Sequence, residues 1–306
     1  MSAIGVNWAP VKTCRVVVLA ISTVLGGEIE GILDRVVGRV GTIDGVAAIA
    51  LGGSRARGTA DRQSDVDLGI YYNGERPFSI GALDRAARDL DDRHISGLVT
   101  DFGAWGPGVN GGGWLTLDGI HVDFLYRDLN VVARAIDECL EGRVQSLHQL
   151  GHPLGFQNQI YAGETQVCQA LYDPQGALAE LKARVADYPE PLRATIITKH
   201  LFDAEFELTI AGKPASRCDT MYVAGCLFRA AGFMVRVLYA LNRTFFINEK
   251  GAMAEARTFT LAPPAFHDAL EQLLSRPGNS PAELADTIAR MQEILDLLKQ
   301  TVAENP

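Results

Sequence analysis

The residues of this chain best suited to chemistry are three carboxylates and one glycine-rich turn. Asp65-Val66-Asp67 opens a run of β-forming residues, and side chains two apart on a strand project from the same face. Two carboxylates placed that way repel each other unless a cation sits between them. All-oxygen ligands at that spacing suit Mg²⁺, which usually recruits substrate phosphates to complete its octahedron. Ahead of them lies Gly52-Gly53-Ser54-Arg55-Ala56-Arg57-Gly58, with ten residues separating Ser54 from Asp65. Glycines let backbone approach a phosphate closely, Ser54 offers a hydroxyl donor, and a short helix opening there aims its amides at an anion. Together the two segments read as a nucleotide-phosphate site. A third carboxylate, Asp123, lies in the alternating run Gly119-Ile120-His121-Val122-Asp123-Phe124-Leu125-Tyr126. With Asp65 and Asp67 it would complete a two-metal centre.

These groups need strands to carry them. Residues 46–51 form a short apolar run and residues 66–72 a β-rich one, so both are expected as strands, with Val66 and Leu68 pointing into a core. The alternation in 119–126 puts Ile120, Val122 and Phe124 on the core side and Asp123 on the opposite face with His121 and Leu125. The strand is expected as a neighbour, parallel or antiparallel, of the one bearing Asp67. Ile29, Ile32, Leu33, Val36, Val37 and Val40 recur at helical spacing, predicting a helix over 28–40 before the first strand.

Strand, Gly-Gly-Ser, the ten-residue gap, Asp-x-Asp on a second strand and a later strand Asp resemble the DNA polymerase β type nucleotidyltransferase superfamily. The stretch Trp105 to Leu115, Tyr126-Arg127-Asp128 and Leu241-Asn242-Arg243-Thr244-Phe245-Phe246 are further similar to bacterial stand-alone nucleotidyltransferases with a helical C-terminal domain, whose best-known relatives are the antibiotic adenylyltransferases. The resemblance implies an α+β protein: a nucleotidyltransferase fold, with a small mixed β-sheet and flanking helices, followed by an all-α domain. The boundaries expected are an N-terminal extension at 1–26, a catalytic domain at 27–127 and a helical domain at 128–306.

The resemblance also implies a mechanism. An acceptor hydroxyl attacks the α-phosphorus of ATP or another nucleoside triphosphate, and pyrophosphate leaves, with two Mg²⁺ ions held by Asp65, Asp67 and Asp123. Asp123 is also the candidate base. Gly53 and Ser54 would hold the outer phosphates, with Arg55 or Arg57 assisting. Lys250, in the loop after a long helix, would neutralise charge on the departing pyrophosphate. The acceptor expected is a small molecule with an aminoglycoside-like or lincosamide-like hydroxyl. The alternatives are nucleotidylation of a protein or tRNA, as in toxin and antitoxin systems, and a non-catalytic nucleotide-binding module.

Composition narrows the field. The 306 residues, 47% hydrophobic and 21% charged, can bury a substantial core in two domains. A formal net charge of −9 argues against an extended nucleic-acid footprint, which needs clustered Lys and Arg, and so against a template-dependent polymerase. It suits a cationic acceptor. Arg55, Arg57 and Arg62 form a local basic cluster beside the glycine-rich turn. The five cysteines are scattered and odd in number, suggesting neither a disulfide framework nor a zinc site. Lys12 and Arg15 before Val16-Val17-Val18-Leu19-Ala20-Ile21 imitate a signal peptide, but the apolar run is short; the cytoplasm is expected, with no membrane span.

Further helices are expected over 82–92, 128–141, 176–186, 191–211, 218–241, 264–274 and 281–302, with a strand at 98–102. Gly111-Gly112-Gly113 reads as a flexible loop on the substrate side, since no Lys-Ser/Thr follows it. Trp105 and Trp114 beside it are candidates for stacking on a ring, against the commoner role of packing. Residues 151–163 read as a connection. His148 and His152 lack the Glu of a zinc-protease pair, and the acids after His200, Glu205 among them, read mainly as a solvated face.

Overall fold

The computed structural model describes residues 27–306, so the expected extension at 1–26, with Cys14 and the signal-like run, lies outside the described residues. In chain order the first elements are α1 (Gly27–Val40), β1 (Val46–Leu51), α2 (Gly53–Arg57), β2 (Val66–Tyr72), α3 (Ile80–Leu90), β3 (Gly112–Leu117) and β4 (Ile120–Asp128). There follow α4 (Leu129–Leu140), β5 (Ser146–Gln149), β6 (His152–Gln157), α5 (Gln159–Val167), β7 (Gln169–Tyr172) and α6 (Ala177–Arg184). The chain ends in α7 (Glu190–Ala215), α8 (Thr220–Leu241), α9 (Ala252–Ala256), α10 (Phe266–Ser275) and α11 (Pro281–Glu304).

Two compact units emerge, and neither is continuous in sequence. The first comprises residues 27–100 with Gly112–Tyr126 and Cys168–Leu178. Its centre is a five-stranded sheet in the order β3-β4-β2-β1-β7. β1 runs antiparallel to both β2 and β7, and β3 antiparallel to β4. The core is built by strand alternation: Val66, Leu68 and Ile70 of β2 and Val122 and Phe124 of β4 are fully buried, as the period-2 pattern requires. α1 turns Ile32, Leu33, Val36 and Val40 inward and packs against α3 and β7.

The second unit comprises Asp101–Gly111, Arg127–Val167 and Ala179–Pro306. The long helices α7, α8 and α11 pack together, and α4 packs on α5 and α7. Asp128 caps α4 by accepting from the Asn130 amide, and Asp219 caps α8 by accepting from that of Tyr222. By length and composition α8 is apolar enough to cross a membrane, contrary to the expectation that no segment is; here its apolar residues are largely buried in the helical core.

Other differences have local causes. The C-terminal region is not all helix: β5 and β6 form an antiparallel hairpin, and residues 151–163 are β6 and the start of α5 rather than a connection. β7, four residues without alternation, joins the sheet beside β1. The strand expected at 98–102 is reduced to an isolated bridge between Val99 and Gly113. Gly112 and Gly113 are buried in β3 rather than in a flexible loop. A β carbon on Gly113 would stand 2.7 Å from the Leu98 carbonyl oxygen, so glycine is what admits that close approach. Cys139, Cys168 and Cys226 are buried, Cys218 is exposed, and all four are unbridged.

Candidate active site

The glycine-rich turn and the acidic strand are neighbours by construction. β1 pairs with β2 through Leu51 and Leu68, and the Gly52 amide extends that ladder by donating to the Asp67 carbonyl at 2.8 Å. Gly52 is the extended residue that caps α2, and Gly53 follows at φ 60, in the left-handed region that glycine tolerates. A β carbon at Gly53 would lie 1.8 Å from Oδ2 of Asp67 and 2.6 Å from its Cγ. The Asp67 carboxylate therefore rests directly on the glycine backbone. Ser54 is half-buried as the next residue of α2.

Asp67 is half-buried on β2, whereas Asp65 is exposed and precedes the first residue of the strand. Asp123 is half-buried on β4, which lies next to β2 in the sheet. Among the described residues no group of three or more His, Cys, Asp or Glu side chains is arranged to hold a metal ion, so the expected convergence of three carboxylates is not a preformed cage. The donor set still fits Mg²⁺, which is ordinarily bound through one or two carboxylates completed by substrate phosphates.

Arg55 has a role that sequence reasoning missed. Its side chain is buried, with Nε donating to the Asp65 carbonyl at 3.0 Å and Nη2 donating to the Ser64 carbonyl. The guanidinium thus braces the loop that delivers Asp65. The same loop is ordered by Asp61, which accepts from the Gln63 amide and the Ser64 hydroxyl, each at 2.9 Å. Those bonds, the Ser64 side chain foremost, lower the Asp61 pKa. Arg57, half-buried at the end of α2, places Nε 3.4 Å from the Gly53 carbonyl oxygen.

The hairpin bearing Asp123 is pinned from α3. Fully buried Asp91 accepts from the Thr116 amide at 2.8 Å and from Arg93 through both carboxylate oxygens. The Arg93 hydrogen bonds hold its pKa down to about 2 against the cost of burial. Asp92 receives the amides of Asp118 and Gly119 at the hairpin turn, both at 2.9 Å. In the antiparallel register Trp114 is directly opposite Asp123, so the indole stands on the carboxylate's face of the sheet, 62% exposed. Trp105 belongs to the second unit, where its carbonyl accepts from Gln149 Nε2 at 2.6 Å.

Lys250 also lies in the second unit. It is exposed, and its backbone amide donates to Asn248 Oδ1 at 2.8 Å. Glu205 is paired with Lys299 at 2.9 Å on the surface, but His200 and Glu207 of the same stretch are buried against the helical core, so the expected solvated face holds only in part.

Residues 33–141 match the family model described as a nucleotidyltransferase domain. Residues 161–250 match a second family, described as a domain of unknown function, DUF4037. A solved structure similar to the chain is that of a nucleotidyltransferase-like protein from Exiguobacterium sibiricum 255-15. The two are 12% identical, with a TM-score of 0.45, over 90% of this chain and 79% of the other. No curated protein matches the chain.

Proposed function

We propose that the chain moves a nucleoside monophosphate from ATP to a hydroxyl of a small cationic acceptor in the cytoplasm, a reading supported by the match of residues 33–141 to the nucleotidyltransferase domain model. The observation that carries this reading is the contact of Asp67 with Gly53, which fuses the phosphate-binding turn and the acidic strand into one cradle.

In the proposed reaction the acceptor oxygen forms a bond to the α-phosphorus while the bond to the pyrophosphate oxygen breaks in line. Asp123 takes the proton of the acceptor hydroxyl. Asp65, Asp67 and Asp123 would hold the divalent ion, and Gly53 and Ser54 would orient the outer phosphates. When bound, Mg²⁺ would neutralise triphosphate charge and lower the pKa of the acceptor hydroxyl. Arg55 acts here by positioning Asp65, and Arg57 remains the candidate for direct phosphate contact. Lys250 is assigned to the charge that builds on pyrophosphate. The acceptor class follows from the acidic chain, with its net charge of −9, and from the resemblance to aminoglycoside and lincosamide adenylyltransferases.

The test is transfer of label from α-phosphate-labelled ATP, with Mg²⁺, to pooled aminoglycosides and lincosamides and in parallel to cell lysate, with Asp67→Asn as control. Label on a small molecule that depends on Asp67 supports the reading. Label confined to protein or RNA replaces the acceptor, and the absence of any Asp67-dependent label overturns the assignment of activity.

A further inference from the structure

A cavity of about 460 Å³ opens within the second unit, between the β5–β6 hairpin and helices α7 and α8. That volume lies in the range of small-molecule sites. Arg236 of α8 is in its wall, with a side chain only 1% exposed. Nη2 donates to the Gly155 carbonyl at 2.8 Å, while Nε has no hydrogen-bond partner among the described residues. The nearest carboxylate, Glu249, is 3.7 Å away, beyond hydrogen-bond reach, and is already engaged by His152 Nδ1 at 3.1 Å and the Leu154 amide at 3.0 Å. Burial lowers the Arg236 pKa to about 10, so the group stays charged at neutral pH.

The other charges of the wall cancel in pairs. Asp203 is held by Lys199 at 3.0 Å, and Glu207 by Arg229 at 2.6 Å. His200 adds no charge: burial lowers its pKa, Nδ1 donates to Asp203, and Nε2 accepts from the Gln157 side-chain amide. Arg236 is itself paired with Glu249 and lies over the Phe246 ring at 5.0 Å, but its buried Nε is a donor left without a hydrogen-bond partner in the cavity wall. Beside it the buried rings of His200 and Phe233 stack with centroids 5.0 Å apart and planes at 12°. Phe206 stands at the rim, 52% exposed, and Arg229 lies over the Phe233 ring at 5.2 Å.

We propose that this cavity binds a small organic anion with a flat apolar body, its negative end toward Arg236 and Arg229 and its body against Phe206, Phe233 and Leu154. A carboxylate and a phosphate monoester share this chemistry. The experiment therefore titrates the full-length protein by calorimetry and saturation-transfer NMR with benzoate, phenyl phosphate and neutral benzyl alcohol. Saturable binding of at least one anion is expected, with benzyl alcohol weaker by about tenfold or more. Arg229→Met and Phe206→Ala, both at half-exposed positions, should each weaken the anion severalfold without altering the circular dichroism. Arg229→Met combined with Glu207→Gln should weaken it as well, which separates loss of the cation from exposure of the acid. Absence of saturable anion binding, equal binding of the alcohol, or full binding by the Arg229 variants would overturn the proposal. None of these measurements reads nucleotidyl transfer, so their outcome is independent of the activity assigned above.

Discussion

Gly53 and Asp67 are in direct contact, the carboxylate lying where a side chain on the glycine would begin: a β carbon there would stand 1.8 Å from Oδ2. Glycine is required there twice, once by its φ of 60 and once by the side chain resting on it. Gly53→Ala should cost about 1–2 kcal/mol for the left-handed backbone. It should lower turnover by about 100-fold or more, because displacing a catalytic group by an ångström has effects of that order. Comparing the fall in kcat with the fall in melting temperature tests this: a variant with full activity would show that the contact does not position Asp67.

Arg55 separates two readings that sequence leaves together. If it were a phosphate ligand, Arg55→Ala would raise KM for ATP and leave stability alone. As the buried donor to the Ser64 and Asp65 carbonyls, it should instead cost about 1.5–3 kcal/mol, the scale of hydrogen bonds from a charged group. Arg55→Lys should recover little, since an ammonium cannot reproduce the fork. Chemical denaturation of the two variants decides, and unchanged stability in Arg55→Ala would return the residue to the phosphates.

Asp91 should write itself into the acid limb of the stability curve. Its pKa is about 2 in the folded chain against an ordinary 3.8. The unfolded chain therefore binds the proton first, and stability present above pH 3.8 is lost as pH falls toward 2. In Asp91→Asn that part of the acid loss should vanish, while stability at neutral pH drops because Arg93 loses its carboxylate. Melting temperatures of both proteins across this window provide the check.

His200 acts in a higher window. Burial lowers its pKa from the ordinary 6.5, so the unfolded state takes up a proton that the folded state resists. Its contribution is complete above pH 6.5 and declines as pH falls below it. The groups facing the ring are Asp203, which opposes the shift, Gln157 and Phe233, with Arg236 and Lys199 adding to it. His200→Gln should flatten stability between neutral pH and the carboxylate range, measured against the same buffer series.

What the sequence made legible follows the range over which each signal acts. Alternation places Val66, Leu68, Val122 and Phe124 in the core and leaves Asp67 and Asp123 on the other side of their strands, because a period of two is a property of neighbouring residues. The cap at Asp128, which opens the helix expected at 128–141, is equally local. β3 is hidden because Gly111-Gly112-Gly113 has loop composition, and its burial depends on the distant Leu98 and Val99. β7 is too short to show a period and is a strand only because β1 offers an edge. Arg55 misleads for the same reason: the carbonyls it serves become neighbours only when the loop folds back. Asp91 and Asp92, which pin the hairpin of Asp123, had no motif by which to be found.

Glu249 and Lys250 are adjacent in sequence and opposite in expected effect. Glu249 is a largely buried carboxylate whose pKa is lowered despite the desolvation that raises it, chiefly by the His152 hydrogen bond, and it is the acid nearest the buried Arg236. Glu249→Ala leaves that guanidinium uncompensated and should destabilise by about 3–5 kcal/mol, the range for breaking a buried pair. Lys250 is exposed, and its backbone bond to Asn248 survives any side chain. Lys250→Ala should therefore change stability by less than about 0.5 kcal/mol. If the residue serves pyrophosphate departure, the same change should lower kcat by about tenfold or more, since removing a group that stabilises charge in the transition state costs turnover rather than fold. Full kcat in Lys250→Ala would confine that loop to structure, with Glu249 as its reason for being there.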